Sequence, residues 1–366
     1  MIRTVFLTVS MLISAVVCVE GAVKYAHLDP DEILVYKTVG STELTLHVFN
    51  PDGHTSADQC PAIVLFFGGG WKAGSPTQLY PQCKYLASRG MVAIAADYRV
   101  ELKNQTTPRE CVRDGKSAVR WVRQHSKDLG VDPNRIAAGG ASAGGHVAAA
   151  AGVVSGFEEQ GSNLEVSSRP DALVLFNPVF DNGPFGYGHD RVKEYWEEFS
   201  PMHNIHAGAP PTIVFFGTED IFVPEKTARK YKCLMERVGS RCELYLYEGQ
   251  PHGFFNYIKS KEYFAKTLNE ADRFLVSLGY LDGNPSAQDF FVEILAPAAA
   301  PREQWFLAID QNHDGKASLE EWIDKNRAEA LRRGWKFKKY RCIAGFEGRD
   351  LNQDRFVDLE EFLKTR

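Results

Sequence analysis

The most specific chemistry in this sequence is carried by a serine that lies between glycines. Ser142 is part of the run GASAGG at positions 140–145, after the apolar segment 135–139 and before an alanine-rich helical run over 146–154. Glycines leave room for a sharp strand-to-helix turn that exposes a serine oxygen. A helix that begins there directs backbone N–H groups towards a developing negative charge. The pattern therefore predicts that Ser142 is a nucleophile.

Two downstream loops supply an acid and a histidine. Asp220 follows the predicted strand 212–216, and His252 follows the predicted strand 243–247. Serine, acid and histidine in this order are typical of an α/β-hydrolase. His252 would accept the hydroxyl proton, and Asp220 would hold the ring in the useful tautomer and stabilise its charged form. Glu219 is a competing acid, but Asp220 is preferred because it completes the Gly-x-x-Asp arrangement usual after that strand.

A glycine loop lies upstream of these residues. The run GGGW at 68–71 follows the apolar run 62–67, which is typical of a strand buried on both faces. Without side chains, the N–H groups of such a loop can turn towards a ligand. A flexible loop is the alternative. The position after a buried strand and before the serine favours an oxyanion hole.

Alternating strand and helix patterns must position these groups. Further strands are predicted at 33–39, 43–49, 91–96, 135–138 and 172–177, and further helices at 78–89, 107–127, 224–238 and 259–278. This alternation indicates an α/β fold, a mostly parallel sheet covered by helices on both faces, with the first two strands as an antiparallel edge. The long connection 181–211 is predicted to form a wall or lid, and its histidines 189, 203 and 206 are predicted to be surface or packing residues.

These motifs resemble the hormone-sensitive-lipase-like esterases of the α/β-hydrolase superfamily, a family that includes small bacterial acetylesterases. The resemblance covers about residues 30–280. It rests on the glycine loop, Asp97-Tyr98-Arg99, the Gly-x-Ser-Ala-Gly-Gly turn, the Asp220 loop and Pro251-His252-Gly253-Phe254.

The resemblance implies an oxyanion hole and a substrate class. The implied donors are the N–H groups of Gly69, Gly70 and Ala143. Phe67 stands where the family often has histidine, and Ala141 where it often has aspartate, so the support of these loops differs. The long N-terminal cap of larger members is missing, which implies an open pocket and a short acyl group.

Two segments near the carboxyl terminus repeat one oxygen-rich pattern, that of the 12-residue EF-hand loop. Gly315 occupies the sixth position of the first loop, and Arg355 occupies it in the second, which predicts weaker binding there. We expect structural Ca²⁺ in these loops and no cofactor for catalysis. The predicted ligands are Asp310, Asn312, Asp314, Lys316, Ser318 and Glu321 in the first loop, and Asp350, Asn352, Asp354, Phe356, Asp358 and Glu361 in the second.

The amino terminus predicts export. A charged start, an uncharged apolar run over 4–19 and small residues at 21–22 have the zones of a secretory signal peptide. The run is shorter than the ~20 residues that span a bilayer, so no stable membrane span is expected after cleavage. The expected organisation is a signal peptide at 1–21, a catalytic domain at 22–290, a linker at 291–302 and an EF-hand pair at 303–366. The protein would be secreted or periplasmic.

Six cysteines follow the signal peptide, and they permit disulfides without requiring them. Cys233 and Cys242 are the best candidates for a pair, and buried free thiols are the alternative, preferred for Cys111.

The composition excludes some classes of function. A formal net charge of −5 gives no case for nucleic-acid binding, and nothing indicates an oligomeric state. The sequence therefore predicts an exported serine carboxylesterase that acts through an acyl-enzyme on a small ester or acetylated carbohydrate. A serine peptidase of the same fold and a non-enzymatic calcium-dependent docking protein are the alternatives.

Overall fold

A computed structural model describes residues 28–288, 290, 306, 309–310, 315–332, 339–347, 349–350 and 354–364 of this 366-residue chain. The predicted signal peptide and linker lie outside these residues. No helix among the described residues combines the length and the apolarity that crossing a membrane requires.

An eight-stranded sheet forms the centre of the fold, with strand order β1-β2-β4-β3-β5-β6-β7-β8. Strand β1 pairs antiparallel with β2, and β2 with β4, whereas every later pair is parallel. This confirms the predicted mostly parallel sheet and its antiparallel edge. The strands are β1 (Glu32–Val39), β2 (Thr42–Phe49), β3 (Cys60–Phe66), β4 (Val92–Ala96), β5 (Val131–Ala141), β6 (Ala172–Phe176), β7 (Thr212–Gly217) and β8 (Cys242–Tyr247).

Helices cover both faces of the sheet. The α-helices that follow the strands are α1 (Tyr80–Ser88), α2 (Glu101–Asn104), α3 (Pro108–Gln124), α4 (Ala143–Val153), α5 (His189–Val192), α6 (Trp196–Phe199), α7 (Glu225–Arg237) and α8 (Lys261–Ser277). Successive residues of a strand point to opposite faces. Val64 accordingly belongs to one buried cluster, and its neighbours Ile63 and Leu65 belong to another. The sheet therefore has an apolar core on each side.

Several element boundaries differ from the prediction, including those of α1, β5 and α3. Helix α1 begins at Tyr80 because the preceding residues Pro76–Leu79 form a 3₁₀ turn. Strand β5 begins at Val131 rather than 135, because Val131 already pairs with Cys60 of β3. The register then shifts before the regular pairing of the two strands begins. Helix α3 ends at Gln124, before the predicted end at 127.

The suggested disulfide between Cys233 and Cys242 is wrong in this structure, since both are free thiols. Helix α7 buries Tyr231 and Met235, and Cys233 is exposed on another side of the helix. Cys242 is buried at the start of β8. Cys111 is a buried free thiol, which confirms the alternative that the sequence analysis favoured for it.

The C-terminal residues form their own small cluster. Two short strands, β9 (Lys316–Ser318) and β10 (Phe356–Asp358), pair antiparallel. Each leads into a helix, Leu319–Arg332 and Leu359–Lys364. Phe306, Trp322, Phe346 and Phe362 are buried together in this cluster.

Candidate active site

Ser142 occupies the turn between β5 and α4. Its φ of 52° and ψ of −116° are strained for a residue with a side chain. The turn packs tightly, because a Cβ atom at Gly144 would come within 2.1 Å of the Phe66 carbonyl oxygen. The Ser142 N–H donates to the Phe176 carbonyl at 2.9 Å and so ties the turn to the neighbouring strand. The sheet thereby fixes the serine at its carboxyl edge.

His252 lies between the serine and a carboxylate. Its Nε2 is 3.0 Å from Ser142 Oγ, and its Nδ1 is 2.6 Å from Asp220 Oδ2. Because a carboxylate only accepts, Nδ1 carries the proton and Nε2 of the neutral ring faces the serine hydroxyl as an acceptor. The three residues that the sequence selected are thus brought together.

Asp220, and not its neighbour Glu219, contacts the histidine. The Asp220 side chain is fully buried, and its Oδ1 accepts the N–H groups of Phe222 and Val223 at 3.0 and 2.9 Å. Glu219 is exposed. The turn after β7 therefore fixes one acid beneath His252 and directs the other to solvent.

The glycine loop lies next to the serine. Gly69 and Gly70 line the same cavity as Ser142, and Ala143 is the residue after it. Within the part of the chain that the structure describes, the N–H groups of these three residues have no protein acceptor. The preceding N–H, that of Gly68, donates to Gln78 Oε1 at 2.6 Å. Three N–H groups next to the serine are therefore available to a ligand oxygen.

Residues outside the loop hold it in place. The Tyr98 hydroxyl donates to the Phe67 carbonyl at 2.7 Å, and the two rings stack with centroids 4.2 Å apart. Phe67 is thus an apolar support at the position where the resembled family often has histidine. Arg191 donates to the Gly70 carbonyl at 2.5 Å and to Glu101 at 2.7 Å.

Asn177 is a site residue that sequence reasoning missed. It follows β6, the strand between those that carry Ser142 and Asp220. Its Oδ1 accepts the Gly253 N–H at 2.9 Å, and its Nδ2 is 3.4 Å from His252 Nε2. Its position at the carboxyl end of a central strand could have identified it, because site residues of α/β sheets lie at these strand ends.

The cavity beside the serine is small, about 240 Å³. Tyr187 contributes to its wall from the connection 181–211, as the sequence predicted. Of the three histidines in that connection, His189 and His203 hydrogen-bond to Asn182 O and Ser200 Oγ. The other side chains that line the cavity come from Gln78, Ala141, Asn177, Phe222, His252, Phe255, Asn256 and Lys259.

His146, in the first turn of α4, is not a second base. It is fully buried against Trp71 and Phe199, and its Nε2 is 3.0 Å from Asn182 Oδ1. Burial lowers the pKa of His146 to about 3. The ring is therefore neutral near pH 7 and packs the turn beneath the glycine loop.

The two C-terminal loops share one backbone feature, at the sixth position of each. Gly315 has a φ of +83°, and its N–H donates to Asp310 Oδ2 at 3.0 Å. Arg355 has a φ of +73°, and its N–H donates to Asp350 Oδ2, also at 3.0 Å. The arginine therefore adopts the turn that glycine adopts in the first loop, at the cost of strain.

The loop carboxylates differ in burial. Asp310 and Glu361 are 1% and 7% exposed, whereas Asp354 is exposed and lies 3.2 Å from Lys316 Nζ. Ser318 N–H donates to Glu321, and Asp358 N–H donates to Glu361. The predicted ligands Asn312, Asp314 and Asn352 lie outside the described residues.

The parallel sheet and the serine, histidine and aspartate at its carboxyl edge are those of an α/β-hydrolase with a serine nucleophile. A family model described as BD-FAE matches residues 46–182. Thermogutta terrifontis esterase 2 has a solved structure that is 46% identical and superposes with a TM-score of 0.67, over 69% of this chain and 96% of that chain. The chain belongs to the same family of α/β-hydrolase esterases as the Thermogutta esterase, and its sheet domain is that of a serine carboxylic ester hydrolase.

Two further relatives, and other solved forms of the Thermogutta esterase, are also similar to this chain. Esterase LipC of Mycobacterium tuberculosis is 32% identical over 53% of this chain and 53% of its own length. An acetylxylan esterase of Xylanibacter ruminicola is 26% identical over 56% of this chain and 42% of its own length. The chain thus spans about half the length of the curated relatives it matches. The Thermogutta esterase has also been solved with propionate bound and phosphorylated by paraoxon.

Proposed function

We propose that this protein is an exported esterase that hydrolyses short-chain carboxylic esters through Ser142, His252 and Asp220. The observation that carries the proposal is the double contact of His252, which lies 3.0 Å from Ser142 Oγ and 2.6 Å from Asp220 Oδ2. These distances suit proton transfer from the hydroxyl to a ring held by a carboxylate.

The reaction proceeds in two halves. Ser142 Oγ attacks the ester carbonyl carbon as His252 Nε2 takes the hydroxyl proton, and the developing oxyanion accepts the N–H groups of Gly69, Gly70 and Ala143. His252 then returns the proton to the departing alkoxide, which leaves as an alcohol. Water, deprotonated by His252, attacks the acyl-enzyme, and the acid is released as the serine regains its proton.

The cavity favours short acyl groups. Its volume of about 240 Å³, with Tyr187 and Phe222 among the side chains that line it, leaves little room for a long chain. A propionate-bound form of the Thermogutta esterase and an acetylxylan esterase among the relatives support the same size class. Acetylated carbohydrates are the natural substrates that we propose.

Two further features of the proposal concern the chain ends. Residues 1–21 serve as a signal peptide, so that the mature enzyme is secreted or periplasmic. Residues 303–366 form an EF-hand pair after a linker at 291–302. The positive φ of Gly315 and Arg355, each with its N–H on the first aspartate of its loop, suits a turn that wraps a cation.

Calcium would be structural. The described oxygen ligands suit a hard cation, which would supply a charge that neutralises clustered carboxylates; they are Asp310, Ser318, Glu321, Asp350, Asp354, Asp358 and Glu361. Asn312, Asp314 and Asn352, with the backbone carbonyls of Lys316 and Phe356, complete the proposed set.

The test is hydrolysis of p-nitrophenyl esters of increasing acyl length by wild type, Ser142→Ala and the exposed-serine control Ser155→Ala. We expect acetate to butyrate to be turned over fastest, unchanged rates in the control, and a loss in Ser142→Ala on the order of 10⁶-fold. Equal rates in Ser142→Ala would exclude the nucleophile, and faster turnover of long chains would exclude the short-ester class.

A further inference from the structure

Three metal-ligating side chains meet at the edge of the sheet remote from Ser142. The His54 cluster consists of His54, Asp58 and Cys60, where β3 begins. Its ligand atoms all lie within 4.8 Å of one another. Strand β3 rises ~3.3 Å per residue from Cys60 to Phe66, so the cluster is ~20 Å from the glycine loop. It is therefore separate from the esterase site.

The histidine is held in one orientation. His54 Nε2 is 2.9 Å from the Leu129 carbonyl oxygen, which can only accept, so Nε2 carries the proton. Nδ1 of the neutral ring then presents its lone pair to the other two side chains. The His54 side chain is only 7% exposed. Metal-binding histidines commonly donate their second ring N–H to a backbone carbonyl in this way, which fixes the tautomer that can bind a metal.

The two separations measured from His54 Nδ1 match those of a tetrahedral site. Zinc bonds of ~2.05 Å to nitrogen, ~2.3 Å to sulfur and ~2.1 Å to oxygen place tetrahedral N···S and N···O pairs ~3.6 and ~3.4 Å apart. His54 Nδ1 is 3.7 Å from Cys60 Sγ and 3.3 Å from Asp58 Oδ2. A mixed nitrogen, sulfur and oxygen set suits Zn²⁺, whereas Ca²⁺ and Mg²⁺ take oxygen ligands.

We propose that His54 Nδ1, Asp58 and Cys60 Sγ bind Zn²⁺, with water as the fourth ligand. Asp58 is 43% exposed, which leaves the site open to solvent on one side. The thiolate and the carboxylate together balance the charge of the ion. The Cys60 N–H donates to the Gly130 carbonyl at 2.9 Å, so the ion would fasten the β2–β3 turn beside the start of β5.

Binding must displace the thiol proton, which passes to solvent as the Zn–S bond forms. Zinc affinity should fall as the pH falls, because protons compete for the sulfur.

The test uses Co²⁺ as a coloured stand-in for zinc on the full chain. The protein is kept reduced, stripped with a chelator, and given excess Ca²⁺ to occupy oxygen-ligand loops before Co²⁺ is added. Cobalt bound to a thiolate gives a near-ultraviolet charge-transfer band that oxygen sites cannot give. We expect one equivalent of this band in wild type and in Cys233→Ser, whose exposed thiol is the matched control.

The cluster variants should behave differently. Cys60→Ser should lose the band, and His54→Gln and Asp58→Asn should need at least about 10-fold more Co²⁺. Added Zn²⁺ should abolish the band in wild type and raise its Tm, but should leave the Tm of Cys60→Ser unchanged. Ester turnover equal to wild type shows that each variant is folded.

Three outcomes would overturn the proposal. These are no band in wild type, a band that survives in Cys60→Ser, and a band lost only in Cys233→Ser. If Cys60→Ser does not fold, the variants His54→Gln and Asp58→Asn test the proposal instead. Unchanged Co²⁺ affinity in both would exclude the site.

Discussion

At the residue scale, the strongest contrast is between two adjacent acids. Asp220 is buried and bonded to His252 Nδ1, whereas Glu219 is exposed. A carboxylate in that place keeps the proton on Nδ1 and stabilises the ring when it becomes charged. An amide at the same position can present an N–H and favour the wrong tautomer.

Asp220→Asn should therefore lower kcat about 10⁴-fold with little change in KM. The matched variant Glu219→Gln should stay within about 2-fold of wild type, because its side chain faces solvent. Steady-state kinetics on p-nitrophenyl acetate measures both. The reverse result would assign the acid to Glu219.

Residue types and order were enough to select Ser142, Asp220 and His252 from the sequence. They were not enough to select Asn177 and Gln78. Asn177 acts through Gly253 N, and Gln78 acts through Gly68 N, contacts that exist only after distant loops have packed together. The His54 cluster was not identified for the same reason, because the orientation of the His54 ring depends on its contact with the distant Leu129 carbonyl.

At the element scale, the connection 181–211 supports the glycine loop from outside. Arg191 bonds both the Gly70 carbonyl and Glu101. We expect Arg191→Met to lower kcat about 10-fold while KM changes little, because the loop's N–H groups would be less well placed for the transition state.

The exposed Arg229, paired with Glu225 on the surface of α7, provides the control. Arg229→Met should leave both constants near wild type. A purely structural role for Arg191 would lower Tm in its variant and leave the kcat per folded molecule unchanged.

The buried ring of His146 makes α4 sensitive to acid. The pKa of this group is lowered to about 3 in the fold, whereas an unfolded histidine titrates near ~6.5. Below pH ~6.5 the unfolded chain binds a proton that the folded chain does not, so stability falls as the pH falls towards 3. The contribution is about 1.4 kcal/mol per pH unit between these two pKa values.

His146→Gln removes the titrating group and keeps a donor for Asn182. Urea unfolding at pH 7 and pH 5 should show a smaller acid loss of stability in this variant than in wild type. An equal loss in both proteins would show that His146 is not the group responsible.

Periodicity and apolar runs predicted every strand of the large sheet, because strands buried on both faces, such as β4 and β6, are continuously apolar. The short helices α2, α5 and α6 were not predicted, because each is four residues long and has too few turns to show a helical period of apolar residues.

At the scale of the whole molecule, the proposed calcium loops and the esterase site lie in different parts of the chain. The structure gives the C-terminal residues their own buried cluster, built around Trp322 and Phe346. Calcium should therefore raise the stability of this cluster, by about 2.7 kcal/mol at 100 times Kd, without changing ester turnover.

Chelator should lower the unfolding midpoint of the C-terminal residues, followed by tryptophan fluorescence, and leave kcat within about 2-fold. Asp310→Ala should remove most of this calcium effect and Asp350→Ala less of it, because Arg355 strains the second loop. The exposed Asp324→Asn is the control. Turnover abolished by chelator at unchanged stability would contradict a structural role.

Every step of the proposed reaction depends on Ser142 as the nucleophile. Paraoxon labels such a serine covalently, because a serine oxygen that attacks its phosphorus releases one p-nitrophenolate and keeps the diethyl phosphoryl group. We predict one equivalent of released p-nitrophenolate, loss of ester turnover in parallel, and a phosphorylated peptide that contains Ser142. Ser142→Ala should release none. Stoichiometric labelling at another residue, or full turnover after Ser142 has been labelled, would show that Ser142 is not the nucleophile.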